Sequence, residues 1–287
     1  MDTIGQQKIW SLLDSEDAAR TVTCNQVRRG PGHSVPDYFV LAMKIAELQF
    51  RNPGYVLLFR GQTSDYSNKK GNSSLKPTLF RSIEGENPSS EQLRVKFERL
   101  DFAERRLLEE FDRKKVLGRD RLAKHRMLRW AVLQHYEVCD TPLLDVTHSL
   151  RIVASFGSLT PNHESYVFVL GVPNLAGAVT ASAEDNLQII RLSSVCPPFA
   201  VRPHIQEGYL LGEYPELSAY DQKKLYRHHE IDFGRRLVAK FRFDPSSFWR
   251  HDQFPKVLRP ALYPGESNDP LNAMARELKN DISQMIQ

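Results

Sequence analysis

Apolar positions along the chain follow two periods. From Ser34 to Phe50 they recur at helical spacing. Leu41, Ile45 and Leu48 share one face, Pro36 sits near the start, and Ser34 or Asp37 can cap it. Pro53-Gly54 breaks this pattern, and Tyr55 to Arg60 (YVLLFR) follows as a short continuous apolar run, the mark of a buried strand. Thr63 to Ser74 is polar and reads as a loop. Ser89 to Arg129 lacks proline and is rich in Glu, Arg, Lys and Leu, which predicts one long helix or a helical pair with a solvated charged face.

Strand patterns dominate the second half: Leu143 to Thr147, Tyr166 to Val172, Leu187 to Leu192, Tyr209 to Leu211 and Leu237 to Phe243. Ser149 to Ser158 predicts a short helix between the first two. Asp269 to Ile286 predicts an amphipathic helix, with Asp269 as cap, Pro270 in the first turn and Leu271, Met274, Leu278, Ile282 and Met285 on one stripe. That stripe reads as core packing rather than a partner surface. No repeat and no linker divides the chain. The expectation is one α+β domain over residues 1–287, with a motif core at 55–243, a helical insertion at about 89–130 and a terminal helix at 269–287.

Composition narrows the function without naming it. Of 287 residues, 41% are hydrophobic and 26% charged, which suits a folded chain. A net charge of +4 permits an anionic partner but falls short of a dedicated nucleic-acid binder. Cys24, Cys139 and Cys196 lie far apart, so a cytoplasmic protein without a disulfide framework or zinc ribbon is expected. The first twenty residues carry acids and no long apolar run, so neither a signal peptide nor a membrane span is expected. There is no GxGxxG, GxxxxGK[ST], GxSxG or HExxH, and His228-His229-Glu230 has the wrong spacing for a helical metal pair; no metal is expected.

Three constellations could carry chemistry. Phe59-Arg60-Gly61-Gln62 ends a predicted buried strand. There an arginine could present its planar fork to a pyrophosphate or pin a loop through a carboxylate, and Gly61 would let a ligand approach. Leu143 to Ser149 (LLDVTHS) joins a strand to a helix, where Thr147 or Ser149 can cap the helix or bind a polar ligand. Upstream, Gln134-His135-Tyr136 adds polar groups, and His135 with Cys139 reads as core rather than as a nucleophile pair. Arg202 to Tyr209 sets Gln206 and Glu207 before a glycine and an apolar strand, where a carboxylate could bind a sugar hydroxyl or sit exposed before a turn.

The ordered set LFRGQ (Leu58 to Gln62), LKPTLFR (Leu75 to Arg81), QHY (Gln134 to Tyr136), TPLLDVTHS (Thr141 to Ser149) and IQEGYLL (Ile205 to Leu211) resembles the FRG domain family, named for Phe-Arg-Gly. It departs from the usual pattern at Pro142 and Val146. The order of motifs also looks like that of ADP-ribosyltransferases. That resemblance implies a split β-sheet around an NAD cleft, with helices outside. It assigns NAD as substrate to Arg60, Gly61, Gln62, Tyr66, Thr147 and Ser149, and catalysis to Arg60 with Gln206 or Glu207. Glu207 is the preferred base, since only the carboxylate can take a proton. It further implies a bacterial toxin or anti-phage effector, restrained by a cognate antitoxin, that modifies a macromolecule, with RNA or DNA placed ahead of protein. The other readings are a non-catalytic nucleotide or nucleic-acid binding module and a protein-interaction module.

Overall fold

The continuous apolar runs become the central strands of one large sheet. The computed structural model describes residues 8–14, 17–81, 86–160, 163–224, 231–250 and 254–284. Its strands are β1 (Ile9–Ser11), β2 (Arg20–Val22), β3 (His33–Ser34), β4 (Val56–Gln62), β5 (Leu144–Thr147), β6 (Ser165–Val172), β7 (Val179–Ser182), β8 (Leu187–Arg191), β9 (Gly208–Glu213) and β10 (Leu237–Phe243). β1 and β2 form a small antiparallel pair. The other eight form a sheet of order β3-β10-β6-β4-β5-β9-β8-β7, antiparallel except for the β3–β10 pair. With 12 α-helices among the described residues, the chain is mixed α/β around a large sheet.

Burial on both faces explains why the inner strands read as unbroken apolar runs. β6 is buried at seven of its eight positions and β10 at six of seven. The helix Leu150–Gly157 lies on β4 and β6, and the helix Cys24–Arg29 lies against β10. The helix Tyr38–Arg51 starts four residues after Ser34, because the Asp37 carboxylate accepts from the Val40 N–H and caps it. Leu41, Ile45 and Leu48 are its buried residues, the face the sequence predicts.

The expected helical insertion is three helices, not one or two: Ser90–Arg113, Arg119–Lys124 and Arg126–His135. The first break is a Schellman motif. Lys115 takes the left-handed conformation (φ 50°), its N–H bonds Asp112 O, and the Val116 N–H returns to Phe111 O at 2.9 Å. Val116 is thereby tucked in and buried. The third helix ends the same way, with Glu137 at φ 56° and the Val138 N–H on Leu133 O.

The terminal helix Pro270–Gln284 buries Leu271, Met274, Leu278 and Ile282 and packs on Ser90–Arg113. Ion pairs Arg106–Asp281 and Lys114–Glu277 flank that contact, so the stripe is an internal seam, as expected. Met285 falls outside the described residues, as do residues 1–7 and His228, His229 and Glu230. No described helix is long and apolar enough to cross a membrane.

Candidate functional site

The sheet nearly parts between β4 and β5. β4 pairs with β6 along all seven of its residues but meets β5 at one pair, Phe59↔Thr147. Continued antiparallel register would set Arg60 against Val146 and Gly61 against Asp145. The strands diverge instead, and the Arg60 guanidinium spans the gap, donating from Nη1 to Asp145 O at 2.6 Å. A cavity of 570 Å³ opens at this split. β4 supplies Arg60 and Gln62, β5 supplies Asp145 and Thr147, and the end of Arg126–His135 supplies Gln134 and His135. Arg202, buried, and Gln206 reach it from the segment before β9, with exposed Arg81, Arg259 and Tyr66 around them.

Polar satisfaction singles this cavity out. Buried polar groups are nearly always paired in native proteins. Among the described residues, seven buried side-chain polar atoms have no partner, and four of them belong to residues lining this cavity: Arg60 Nε, Gln62 Oε1, His135 Nε2 and Arg202 Nε. Two donors and one acceptor there are committed to nothing in the protein, and the fourth, a ring nitrogen, takes its role from its tautomer.

The electrostatics favour an anion. Arg60, Arg81, Arg202 and Arg259 line the cavity against two carboxylates, Asp145 and Glu137, and Glu137 already pairs with Arg202 at 2.7 Å. Burial, helped by the Arg81 charge, brings the Arg60 pKa down to about 10, so it remains a cation at neutral pH. The Arg202 guanidinium lies over the Tyr263 ring at 4.5 Å, which holds it in place.

A carboxylate and an imidazole stand together at the cavity wall. Asp145 Oδ2 accepts from Gln134 Nε2 at 2.6 Å, and His135 Nδ1 is 3.6 Å from Asp145 Oδ1. Gln134 is itself fixed, since its Oε1 accepts from Thr141 Oγ1 at 2.5 Å. Burial first, then the Arg202 charge, lowers the His135 pKa, and Asp145 only partly opposes this. The Asp145 pKa is also lowered: burial works to raise it, but the contacts with His135, Arg60 and Gln134 more than offset that. Tyr136, the third residue of QHY, instead donates to buried Asp269, whose other oxygen takes the Leu271 N–H at the start of the terminal helix.

These placements change several assignments made from sequence. Arg60, Gly61, Gln62, Tyr66, Thr147 and Gln206 all line the cavity, whereas Ser149 and Glu207 are not among its lining residues. Glu207 is exposed, at φ 44°, with its N–H on His204 O and its carbonyl accepting from the His148 N–H. Gln206, the residue before it, is the one buried, its Nε2 donating to Leu262 O. The Thr147 hydroxyl donates to Gln206 O at 2.8 Å and accepts from the Ser149 N–H at 3.1 Å. It therefore staples β5 to the turn before β9. Gly61 is required by packing: a Cβ there would stand 2.2 Å from Val153 O of the overlying helix. Tyr66 sits on a loop tied down by Asp65, which accepts from Lys240 of β10 and from Ser73 Oγ.

Sequence reading passed over Asp145, Arg81, Arg202 and Arg259 as site residues and read His135 as core. The acid at the end of the LLD strand was the one available signal. The cysteines offer no nucleophile, since burial pushes Cys24 up to about 11 and Cys139 and Cys196 up to about 12. Among the described residues no group of three or more His, Cys, Asp or Glu is placed to hold a metal ion.

Two buried histidines make stability depend on pH. His33 and His135 both have pKa values lowered from 6.5, chiefly by burial. The unfolded chain then binds more protons than the native one, so stability rises with pH across that window. Their contribution is complete above about 6.5 and is lost as the pH falls through their native values. Urea midpoints should fall between pH 7 and pH 5, and part of that fall should vanish in His33→Gln. A flat profile over this range would show that neither imidazole is held neutral.

One family model matches part of the chain that includes β4 and β5. The family model described as FRG domain matches residues 56–165. It starts at the first residue of β4 and ends at the first residue of β6, so it takes in Arg60, Gln134, His135 and Asp145 but not Arg202 or Gln206. No curated protein and no solved structure matches the chain.

Proposed function

We propose that the cavity binds NAD and that the protein is an NAD-dependent ADP-ribosyltransferase acting on a macromolecule, nucleic acid ahead of protein. The observation that carries the reading is Arg60. It is a cation at the split of the sheet with one backbone bond and an unpartnered buried Nε. Desolvating a charge with so little in return is unfavourable unless a ligand anion completes its shell. A pyrophosphate flanked by Arg60, Arg81 and Arg202 would do so with charge-assisted bonds. A dinucleotide held in this way would have Gln62, His135 and Gln206 in the same cavity to meet its nicotinamide ribose. Fixed dipoles and charges there can act on the oxocarbenium-like state as nicotinamide leaves. The three motif strands β4, β5 and β9 are neighbours in one sheet, which supports the reading by bringing their residues to one cavity.

Incubation with NAD labelled in its adenylate, together with separate pools of RNA, DNA and protein, tests the reading. Label should enter one pool, and expression without a restraining partner should arrest bacterial growth. A protein that shows no calorimetric heat with NAD and labels nothing would refute it. A second reading is a nucleotide-binding module without chemistry, favoured by the exposed position of Glu207. NAD binding without release of nicotinamide would select that reading.

The displaced carboxylate makes its own prediction. Glu207→Gln changes an exposed side chain outside the cavity, so it should alter energetics by no more than about 0.5 kcal/mol and leave nicotinamide release within about twofold of wild type. A hundredfold loss would return Glu207 to the site.

A further inference from the structure

We infer that His135, held by Asp145, is the general base of this cleft and takes the proton of the attacking acceptor hydroxyl. The inference rests on the proposed turnover of NAD. His135 is 2% exposed at the last turn of Arg126–His135, with Nδ1 facing Asp145 at 3.6 Å and Nε2 buried and unpartnered beside the cavity. A carboxylate on the Nδ1 side favours the tautomer with the proton on Nδ1 and the lone pair on Nε2. The carboxylate cannot turn away, because Gln134 and behind it Thr141 hold its other oxygen. This is a base oriented by an acid that is oriented in turn by an amide.

Burial keeps the ring neutral before reaction, against the pull of two nearby carboxylates. Asp145 faces it from β5, Arg202 from the helix Val201–Ile205 and Asp269 from the start of the terminal helix. Arg60 reaches the same strand through the Asp145 carbonyl, and the Tyr136 ring stands edge-on at 5.5 Å. Burial and Arg202 disfavour the imidazolium, and the two carboxylates favour it. The resting ring is therefore free to accept a proton, and Asp145 stabilises the cation that results.

In the transfer step the acceptor O–H bond breaks and its proton passes to Nε2. The oxygen forms a bond to C1′ of the nicotinamide ribose. The bond from C1′ to the nicotinamide ring nitrogen breaks, and its electron pair stays on that nitrogen, so neutral nicotinamide leaves. The proton on Nε2 then returns to solvent. Glu207 has no part in this step, and Gln206 remains a neutral neighbour.

Two variants of the full chain test the role, with NAD binding by calorimetry and nicotinamide release across pH. His135→Gln should lose about 10²- to 10⁴-fold in kcat, far more than it loses in NAD affinity, and lose the acid limb of the kcat profile. Asp145→Asn removes a charge that favours the imidazolium, so its acid limb should move to lower pH. A histidine that merely packs the core would move neither limb. Should His135→Gln fail to fold, the limb in Asp145→Asn decides, and an unmoved limb overturns the inference. Wild-type rate and profile in His135→Gln would overturn it while leaving the NAD reading intact. A wild-type protein that neither binds nor cleaves NAD overturns both.

Discussion

Arg60→Ala should lose about 30- to 1,000-fold in kcat/KM for NAD while its melting temperature holds or rises. The first half follows from the site. On the proposed reading, a half-buried guanidinium with an unpartnered Nε would contribute charge-assisted bonds to a ligand anion and to the charge developing in the transition state, together about 2–4 kcal/mol. That energy converts to the stated range at a factor of ten per 1.36 kcal/mol. The second half follows from what the protein gets in return for half-burying Arg60, which is one bond to Asp145 O and attraction to the Asp145 carboxylate. Removing a poorly compensated cation is close to neutral for folding or stabilising. Arg60→Lys keeps the charge and loses the planar fork, so it should fall between wild type and alanine. Calorimetric affinity and a melting curve on the three proteins check this together. An unfolded Arg60→Ala would make Arg60 a structural brace and remove it from the site.

Gly61→Ala should destabilise the protein by about 3 kcal/mol or more, whatever it does to NAD. The new methyl would stand 2.2 Å from Val153 O and 3.1 Å from Gly157 N, both backbone atoms of the helix that covers β4 and β6. No side-chain rotation relieves that contact, so the helix must lift off the sheet, and overpacking of this kind lies at the severe end of point substitutions. Gly54→Ala, which meets nothing within 4 Å, is the control and should be neutral or slightly stabilising. Urea midpoints for both proteins decide. If Gly61→Ala keeps its midpoint and loses only NAD binding, the glycine serves the ligand and not the helix.

Gly61 shows how a local motif can be legible while its reason is not. The FRG tripeptide marked the last residues of a buried strand and an arginine that lines the cavity. The need for glycine arose from a helix about 90 residues further on, which no local pattern reports. His135 is similar. It lies ten positions from Asp145 in sequence, and only the packing of the Arg126–His135 helix beside β5 brings the ring to 3.6 Å from the carboxylate. Arg202 and Arg259 join the cavity by the same route, through segments that fold back onto it.

What the sequence determined by itself was set by burial and by capping, both of which act locally. β4, β6, β8 and β10 were readable to within a residue or two, since strands covered on both faces must be apolar throughout. Asp37 and Asp269 marked helix starts because a side-chain oxygen there meets an N–H two or three residues ahead. The short strands β1, β2, β3 and β7 escaped notice, for two to four residues are too few to carry a period. The helix end at Lys115 escaped because a lysine holds the left-handed position that glycine usually signals. The tertiary structure alone decided the near-parting of β4 from β5 and the choice of Gln206 over Glu207 as the residue facing in. It also decided which buried polar atoms stay unpartnered. Each depends on how distant segments meet, and a partner's absence is visible only once every other atom has been placed.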